Sequence, residues 1–594
     1  MQTVSQAWKD NQTETLASES FVEVTLTLTD PDAYENASAE DDGNVISISN
    51  TSQIVSEVDK NIVPYATLER NLWVLDGSRK IIPESNFGDC GFISSAFSDE
   101  VGCYSADPVV WLVFPEVQYN MIQGVTIEWG VAYDEYAKDF TVTAYNGNTV
   151  VNTKSVTDNK EMMSVVYMDI VNYDSIEIEV TQWCLPYRRA RIANVLPGVK
   201  MIYSKTDLFS FSHKQSVDPI SAELPKSEVS FSVENVGDLY NFQNTDGLAK
   251  YLIERQEIKV KYGYKLNNKV EWIDGGTFYM SEWDAQQNGM TADFSARDLL
   301  EFMTGTYYYG LYNSSGVSLY DLASAVLQDA DLPLNNDGSA KWVIDNSLKN
   351  IYTVAPLPID THANCLQMIA NAGGCVIYQD RKGTFHIKPV SYAVSDYSIS
   401  KFNSYSKPEL SLSKPLKQVD VPSYSYSVSG QSTELYKGVI SVNGTTDVIV
   451  TYSGAAANVK ATVSGGTLNS ATYYTNVCVL NITATGNVTI TVNGYSLETS
   501  SINTTSTFAI EGEVITVDNP LITSQDRALA IGQWVGDYMK NRITLSSSWR
   551  ADPRLDALDV VSSENDYGVD NVLMTQVDYT YSGAFRGSGE GRVI

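Results

Sequence analysis

The chain has 594 residues, which at roughly 100 to 200 residues per domain corresponds to three to five domains, each large enough to bury its own core. Hydrophobic residues make up 43% and charged residues 19%, a composition that excludes wholesale disorder. The 72 acidic residues outnumber the 40 Lys and Arg residues, and the net charge of −32 argues against sequence-independent nucleic-acid binding and against docking on an anionic membrane.

Targeting signals and cysteine chemistry are the next features that the sequence limits. No run of about 20 apolar residues occurs, so no membrane-spanning segment is predicted. The first ten residues lack a basic stretch followed by an apolar one, so we expect no secretory signal peptide and assembly in a cytoplasm. The six cysteines show no Cys-x-x-Cys spacing. Cys90 and Cys103 could form a disulfide. The alternative, which a reducing compartment favours, is that they are free thiols without a chemical role.

The first 200 residues read as β structure. Residues 21–28 alternate strictly between apolar and polar, which predicts a strand with one buried face. Residues 40–43, Glu-Asp-Asp-Gly, indicate a solvated turn, with a calcium loop as the alternative. Short alternating segments then recur at residues 109–114, 124–129, 140–145, 165–170 and 175–180. Strands at this spacing are typical of a sandwich or jelly roll.

The middle of the chain has a mixed pattern. Extended segments at 228–233, 258–264 and 276–283 precede a short helix predicted over residues 296–303. Ser318 is a predicted N-cap for a helix with one apolar face, formed by Leu319, Leu322, Ala323, Val326 and Leu327. A second helix is predicted from Thr361, followed by a hairpin of residues 375–379 and 385–388.

The C-terminal third repeats the alternation of β and mixed segments. Residues 436–512 are nearly free of charge and have Gly-, Asn- and Thr-rich turns, which predicts a small Ig-type sandwich. A helix is predicted from Ser524 through Met539, then an extended segment at 572–581. The run Gly587-Ser588-Gly589-Glu590-Gly591 has no helix after it, so a flexible tail is predicted rather than a dinucleotide loop.

These changes of pattern predict a mainly β fold with α+β parts, in which two β modules interrupt a discontinuous core. The expected units are a first barrel domain (1–69 and 201–305), an inserted jelly roll (70–200), a mixed α/β domain (306–395), a closing domain (396–435 and 513–594) and an inserted Ig-like sandwich (436–512). Insertions whose ends lie close together cost little closure entropy.

No catalytic constellation is predicted. The three histidines, His213, His362 and His386, are far apart, and the chain has no His-Glu-x-x-His, Gly-x-Ser-x-Gly or Walker-type Gly-Lys-Ser/Thr motif. His362 and Cys365 lie three residues apart on a predicted helix, but a Cys nucleophile usually meets its His across the fold. We therefore predict no enzyme activity, no catalytic residue, no cofactor and no metal site.

Three groups of segments resemble the baseplate-hub family of phage tail tips and related injection machines. Residues 224–235 (LPKSEVSFSVEN), with 258–264 and 276–279, are similar to the family's first β-barrel, and residues 366–389 resemble its middle domain. Residues 517–522 (VDNPLI) and 549–560 (WRADPRLDALDV) resemble its closing domain. These segments follow the order that the family uses, and the resemblance that they carry covers about half of the chain.

The resemblance implies a structural virion protein at the tail tip. It implies a homotrimer that closes the distal end of the tail tube, contacts distal tail, tube and tape-measure proteins, and passes DNA through an acidic channel at genome ejection. An acidic lumen repels phosphates. Receptor-binding proteins or host surface glycans are further expected partners, which would give a role in host attachment.

Residues 70–200 also resemble galactose-binding-like jelly rolls, through residues 124–129, 136–142 and 183–192. Such modules often bind sugars with loop aromatics, which implies a glycan site at Trp183, Tyr187, Arg188 and Arg189. The alternative is a structural scaffold in which Trp111 and Trp129 are core and Arg189 and Arg191 form structural pairs. For the whole chain, the alternatives to a hub are a glycan-binding adhesin and a tail-associated hydrolase.

Overall fold

The computed structural model describes most of the chain, with short gaps concentrated between residues 30 and 89. The described residues are 1–29, 33, 36–55, 62, 64–65, 67, 69–70, 90–244, 247–249, 252, 255–267, 269–286, 289–332 and 339–594. Strands dominate them, and several separate sheets and cores are present. The predicted mainly β, multidomain fold is confirmed.

The elements of the described residues are named here in chain order. The N-terminal part contains α1 (Gln6–Thr13), β1 (Ser20–Thr29), β2 (Ser38–Asp41), β3 (Phe92–Ile93), β4 (Val109–Gln118), β5 (Ile122–Glu128), β6 (Ala137–Asn146), β7 (Thr149–Val156), β8 (Met163–Ile170), β9 (Tyr173–Trp183), β10 (Arg191–Ile192), β11 (Asn194–Leu196) and β12 (Gly198–Ser204). The central part contains β13 (Leu208–Ser216), β14 (Lys226–Glu234), β15 (Glu257–Leu266), β16 (Lys269–Ala285), β17 (Thr291–Arg297), α2 (Leu299–Phe302), β18 (Thr306–Tyr307), β19 (Val317–Ser318), α3 (Leu319–Asp329), β20 (Trp342–Ile344), β21 (Tyr352–Thr353), β22 (Asp360–Thr361), α4 (His362–Ala372), β23 (Val376–Gln379) and β24 (Phe385–Lys388). The C-terminal part contains β25 (Val394–Ile399), β26 (Glu409–Leu412), β27 (Leu416–Thr451), β28 (Ala456–Ser464), β29 (Thr467–Tyr473), β30 (Val477–Thr507), β31 (Glu513–Thr516), α5 (Gln525–Met539), β32 (Ile543–Trp549), β33 (Val560–Asn565), β34 (Gly568–Tyr581) and β35 (Phe585–Val593).

One large sheet joins the two ends of the chain. Its strand order is β12-β1-β15-β16-β17-β14-β13-β34-β35-β32-β26, and β25 and β33 branch from β34. The junction is β13, which pairs with β14 on one side and with β34 on the other. Strands that the sequence assigned to separate first and closing domains therefore share one ladder, here called the central sheet. Alternation along a strand reveals its faces but not its distant partner.

A two-sheet sandwich is inserted between β1 and β12. Sheets β2-β4-β9-β6-β7 and β11-β5-β8 enclose a core that includes Val110, Ile127, Trp129 and Phe140. Residues 71–89, which the predicted module includes, lie outside the described residues. The five predicted strands are confirmed as β4, β5, β6, β8 and β9.

The sandwich begins earlier than the predicted boundary. Strand β2 pairs with β4, from Ser38 opposite Val113 to Asp41 opposite Val110. The prediction of a turn at residues 40–43 is thus wrong for Glu40 and Asp41, which lie in a strand. Ile54 is also buried in the sandwich core, so residues assigned to the first barrel contribute to the insertion.

The helices and strands of the mixed α/β unit closely match those that the sequence predicts. Ser318 caps α3, and the five predicted apolar residues of that helix are all buried. Thr361 caps α4, and β23 and β24 form the predicted hairpin. The helix predicted over residues 296–303 is shorter, because Ala296 and Arg297 continue β17 opposite Val229 and Glu228; α2 starts only after its N-cap, Asp298.

A long hairpin replaces the predicted Ig-type sandwich. Strands β27 and β30 pair from Gln418 opposite Thr507 to Thr451 opposite Val477, with bulges, and β28, β29 and β31 complete a single sheet. The two-sheet prediction is corrected because several Gly and Asn residues read as turns lie inside the ladder, as at Gly444 opposite Ala484. The distal part of this sheet, the hairpin module (residues 435–492), has its own small core.

Candidate functional site

The central sheet presents one exposed surface of small polar side chains arranged in register. Paired residues of antiparallel strands lie on the same face, and alternate residues along a strand point to opposite faces. One row crosses β16, β17, β14, β13, β34 and β35 through Glu282, Ser295, Ser230, Ser212, Thr580 and Arg586. Ser230, Thr580 and Arg586 are exposed, so this row faces outward.

Two further rows flank the first. One runs through Arg297, Glu228, Lys214, Asp578, Ser588 and Ser548, and the other through Asp284, Asp293, Ser232 and Ser210. The three rows are here called the polar face. Its acidic residues are Glu228, Glu282, Asp284, Asp293 and Asp578, against the basic residues Lys214, Arg297 and Arg586. The rows therefore carry more carboxylates than cations.

Hydrogen bonds within the polar face connect the short side chains to one another. The Ser210 hydroxyl donates to that of Ser232 at 3.2 Å, and the Ser230 and Ser295 hydroxyls are 3.4 Å apart. The Ser232 hydroxyl also donates to the Asp293 carboxylate. A surface of linked hydroxyls and carboxylates binds water well and has few groups that would hold an anion.

The charges of the polar face are arranged so that two of its three cations face carboxylates. Arg297 lies opposite Glu228, and Lys214 lies between Glu228 and Asp578. Partial burial raises the pKa of the Asp578 carboxyl, Lys214 opposes that rise, and the nearby carboxylates of Glu590 and Glu228 add to it. Asp578 is therefore a partly buried carboxyl with both a cation and other carboxylates near it.

The opposite side of the same strands is apolar and closely packed. Phe211, Phe231, Phe294, Val577 and Tyr579 are buried there in one core. Strand β35 contributes glycines, because a Cβ atom at Gly589 would lie 2.3 Å from the Gln576 carbonyl oxygen, and one at Gly587 would lie 2.9 Å from the Trp549 ring. The prediction of a flexible tail at residues 587–591 is wrong, since these residues form β35 within the ladder.

An arginine fixes the mixed α/β unit to the central sheet. Arg381, in the β23–β24 turn, lies 2.7 Å from Asp556 and donates to the carbonyl oxygens of Asp274 and Leu555. Its guanidinium also stands over the Tyr262 ring, 5.7 Å from the ring centroid. These contacts join three distant parts of the chain beneath the polar face.

The histidines have structural surroundings. His213 is fully buried, its Nδ1 lies 2.7 Å from the Tyr262 hydroxyl, and burial together with Arg381 lowers its pKa to about 3. His362 and His386 each contact one carboxylate, of Asp329 and Asp380 respectively. Among the described residues, no group of three or more His, Cys, Asp and Glu side chains is placed to hold a metal ion.

Two of the four residues predicted for glycan binding are inside the sandwich. Trp183 is buried, and its indole N–H donates to Glu135 at 2.9 Å. The Arg188 Nε donates to the other oxygen of the same carboxylate, also at 2.9 Å. Trp183 therefore has no free ring face for stacking on a sugar, and Arg188 already has a partner.

The other two predicted residues, Tyr187 and Arg189, are partly exposed. The Arg189 guanidinium lies 3.9 Å from the centroid of the Phe97 ring, and Arg70 lies 4.7 Å from that of Tyr187. Next to them, Arg191 contacts both carboxylate oxygens of buried Glu69, at 2.6 and 2.7 Å. The structure thus brings the four residues into one region, in contacts that fit the structural alternative.

Comparisons with known proteins were made for the whole chain. No protein-family model and no curated protein matches it. Similar solved structures include the 43 kDa tail protein of prophage MuSo2 from Shewanella oneidensis, with 11% sequence identity and a TM-score of 0.37 over 66% of this chain and 95% of that one. The tail protein from Neisseria meningitidis MC58 has 9% identity and a TM-score of 0.37 over 66% of this chain and 93% of its own. The prophage tail protein gp18 from Listeria monocytogenes EGD-e has 12% identity and a TM-score of 0.36 over 66% of this chain and 91% of its own.

These matched structures are tail proteins, the class of protein that the sequence resemblance indicated. No helix among the described residues is long and apolar enough to cross a membrane.

Proposed function

We propose that the chain is a structural hub protein of a phage tail tip or baseplate, without chemistry of its own. In this role it closes the distal end of the tail tube, forms part of the channel through which DNA leaves, and carries tip or receptor-binding proteins. The observation that carries the proposal is the polar face, a continuous surface built from strands of both ends of the chain. It would line the channel.

The chemistry of the polar face suits a surface along which DNA slides. Lys and Arg side chains that neutralise phosphates give nucleic-acid binding, with displaced counterions as the driving force. On the polar face, Lys214 and Arg297 lie opposite carboxylates, and the other positions are mostly hydroxyls and carboxylates. A duplex passing along it would meet mainly water and like charge, and Arg586, opposite Thr580, is the cation of the three rows that does not lie opposite a carboxylate.

The width of the polar face supports a homotrimer. The seven strands that carry its rows, β16, β17, β14, β13, β34, β35 and β32, span about 34 Å at about 4.8 Å per strand. A bore of about 20 Å in diameter for a duplex, with about 5 Å of side chain on each side, requires a ring of about 30 Å in diameter at the backbone. The circumference of that ring is about 94 Å. Three protomers provide that circumference, whereas two leave the ring open.

The inserted modules fit the outside of such a ring. The sandwich packs behind β12, where the Thr126 hydroxyl donates to Gly198 O at 3.0 Å and Lys200 contacts Glu128 at 2.7 Å. Arg188, Arg189 and Arg191 are thereby kept in the insertion, away from the polar face. Distal tail, tail-tube and tape-measure proteins are the expected neighbours in the virion, and assembly in the host cytoplasm belongs to the same proposal.

Labelling of purified particles tests the assignment to the tail tip. Gold-labelled antibodies against the chain should mark the distal end of the tail in electron micrographs, and mass spectrometry should find the chain in three copies per particle. Label along the tail shaft or on the capsid, or absence of the chain from particles, would contradict the proposal.

A further inference from the structure

A cleft lies between residues 311–314 and the hairpin module, and Val428 completes its lining. It has a volume of about 400 Å³, within the range of about 300–1,000 Å³ typical of ligand pockets. Its lining, which belongs entirely to described residues, contains no charged side chain, although the chain as a whole carries a net charge of −32. The polar and aromatic groups at its surface include those of Tyr312, Asn313, Asn458, Tyr473 and Tyr474.

Thr475 holds the two walls of the cleft together. Its N–H donates to Gly310 O at 2.9 Å, and its hydroxyl accepts the N–H of Tyr312 at 2.6 Å. Its own carbonyl accepts the N–H of Ala456 at 2.8 Å. Because this residue is buried and bonded to both walls, the cleft is formed before any ligand arrives. Preformed walls reduce the ordering cost of binding.

A β-bulge places an amide at the cleft. The register of β28 against β30 shifts between Ala457 and Lys460, and Asn458 adopts a left-handed backbone with φ 51°. Bulges redirect a side chain out of the regular alternation and occur often beside functional sites. Within the described part of the chain, the Asn458 side chain makes no hydrogen bond, so its donors and acceptor are available to a ligand.

We propose that this cleft binds a neutral saccharide of a cell-surface glycan. Tyrosine rings offer flat faces to the C–H groups of a sugar ring, and amides and hydroxyls match its hydroxyl groups. The uncharged lining has no partner for a phosphate, sulfate or carboxylate, which selects against anionic ligands. The site is separate from Trp183, Tyr187, Arg188 and Arg189, and it adds host recognition to the proposed structural role.

Binding to a glycan array tests the inference with the purified full-length chain. The array should carry neutral and acidic glycans of bacterial surfaces. Calorimetry with each glycan that binds should then give its affinity for the chain. We expect binding to neutral glycans alone. Tyr312→Ala and Asn458→Gly should each lower the affinity at least tenfold with an unchanged melting temperature. Glycine accommodates the left-handed backbone at position 458, so that variant removes only the amide.

Tyr567→Ala is the matched control, because Tyr567 is almost fully exposed at a hairpin tip outside the cleft. It should leave the affinity unchanged. Binding to no glycan of the array, binding confined to acidic glycans, or affinity retained by both cleft variants would overturn the inference. The result is independent of the hub proposal, because the assay uses the free chain and not the assembled tail.

Discussion

A cationic polar face should hold DNA that the native face lets pass. Ser212, Ser230 and Ser295 are consecutive members of one row across β13, β14 and β17. Changing all three to Lys places three ammonium groups side by side on the surface that we propose lines the channel. Their neighbours on the row are Glu282 and Thr580, and the flanking rows place Glu228 and Asp293 two residues from Ser230 and Ser295 on the same face.

The expected magnitude follows from counterion release. Three substitutions per protomer add nine cations to a trimeric ring, and the slope of log affinity against log salt is about −0.9 per phosphate contacted. Full engagement therefore gives a slope near −8, and affinity for DNA falls about 10³–10⁵-fold between 50 and 200 mM salt. The variant channel should retain DNA strongly at low salt and release it as salt rises.

The assay is the rate of genome ejection from purified particles, followed by a DNA-binding dye at several salt concentrations. The matched control carries three lysines in place of Thr445, Thr483 and Asn469, which also form an exposed hydrogen-bonded cluster, on the hairpin module. We expect slow, salt-dependent ejection for the row variant and native rates for the control. If particles that incorporate the row variant in normal amounts eject DNA at the native rate, the polar face does not line the channel.

Three further predictions concern stability and are measured by chemical denaturation. Arg381→Met should lower the free energy of unfolding by about 2 kcal/mol, because it removes the ion pair with Asp556 and the donor to the Asp274 carbonyl oxygen. Lys401→Met at an exposed pair should change it by less than about 0.5 kcal/mol, and equal effects of the two substitutions would contradict the anchoring role. Burial raises the pKa of the Asp298 carboxyl from 3.8 to about 7, so its contribution to the free energy of unfolding falls as the pH rises from about 4 to 7. The free energy of unfolding of Asp298→Asn should equal that of the native protein at pH 3 and exceed it at pH 8 by up to about 4 kcal/mol. The same dependence on pH for both proteins would contradict this prediction. Deletion of residues 438–490 should leave the remainder able to fold cooperatively, because it cuts between paired positions of the hairpin and removes most of a separate core. The free energy of unfolding should fall slightly, because the bonds of Thr475 to Gly310 and Tyr312 are lost. Loss of folding would show that the module is integral.

Local signals in the sequence predicted much of the fold. Ser318 and Thr361 cap α3 and α4 as their positions before apolar periodic runs indicate, and alternation located the sandwich strands to within a few residues. These features depend on neighbours three or four residues away or on the opposite faces of one strand. The sequence contains that information directly.

Long-range pairing was not predictable in the same way. The contact of β13 with β34 joins residues more than 350 positions apart, and the polar face exists only because of it. The glycines of β35 do alternate with Ser, Glu and Arg, a period of two that indicates a strand with one closely packed face. The ability of indoles to stack on sugars predicts an exposed Trp183, but the ring is buried and its N–H donates to Glu135, 48 residues earlier in the chain, a contact that no local pattern reveals.

The most direct test of the central proposal is a cryo-EM reconstruction of the tail tip at side-chain resolution. It should show three copies of the chain around the tail axis, with Ser230, Asp293 and Thr580 facing the bore and the sandwich and hairpin module outside. A bore lined by Arg188, Arg189 and Arg191, or a polar face covered by another protein away from the axis, would contradict the account.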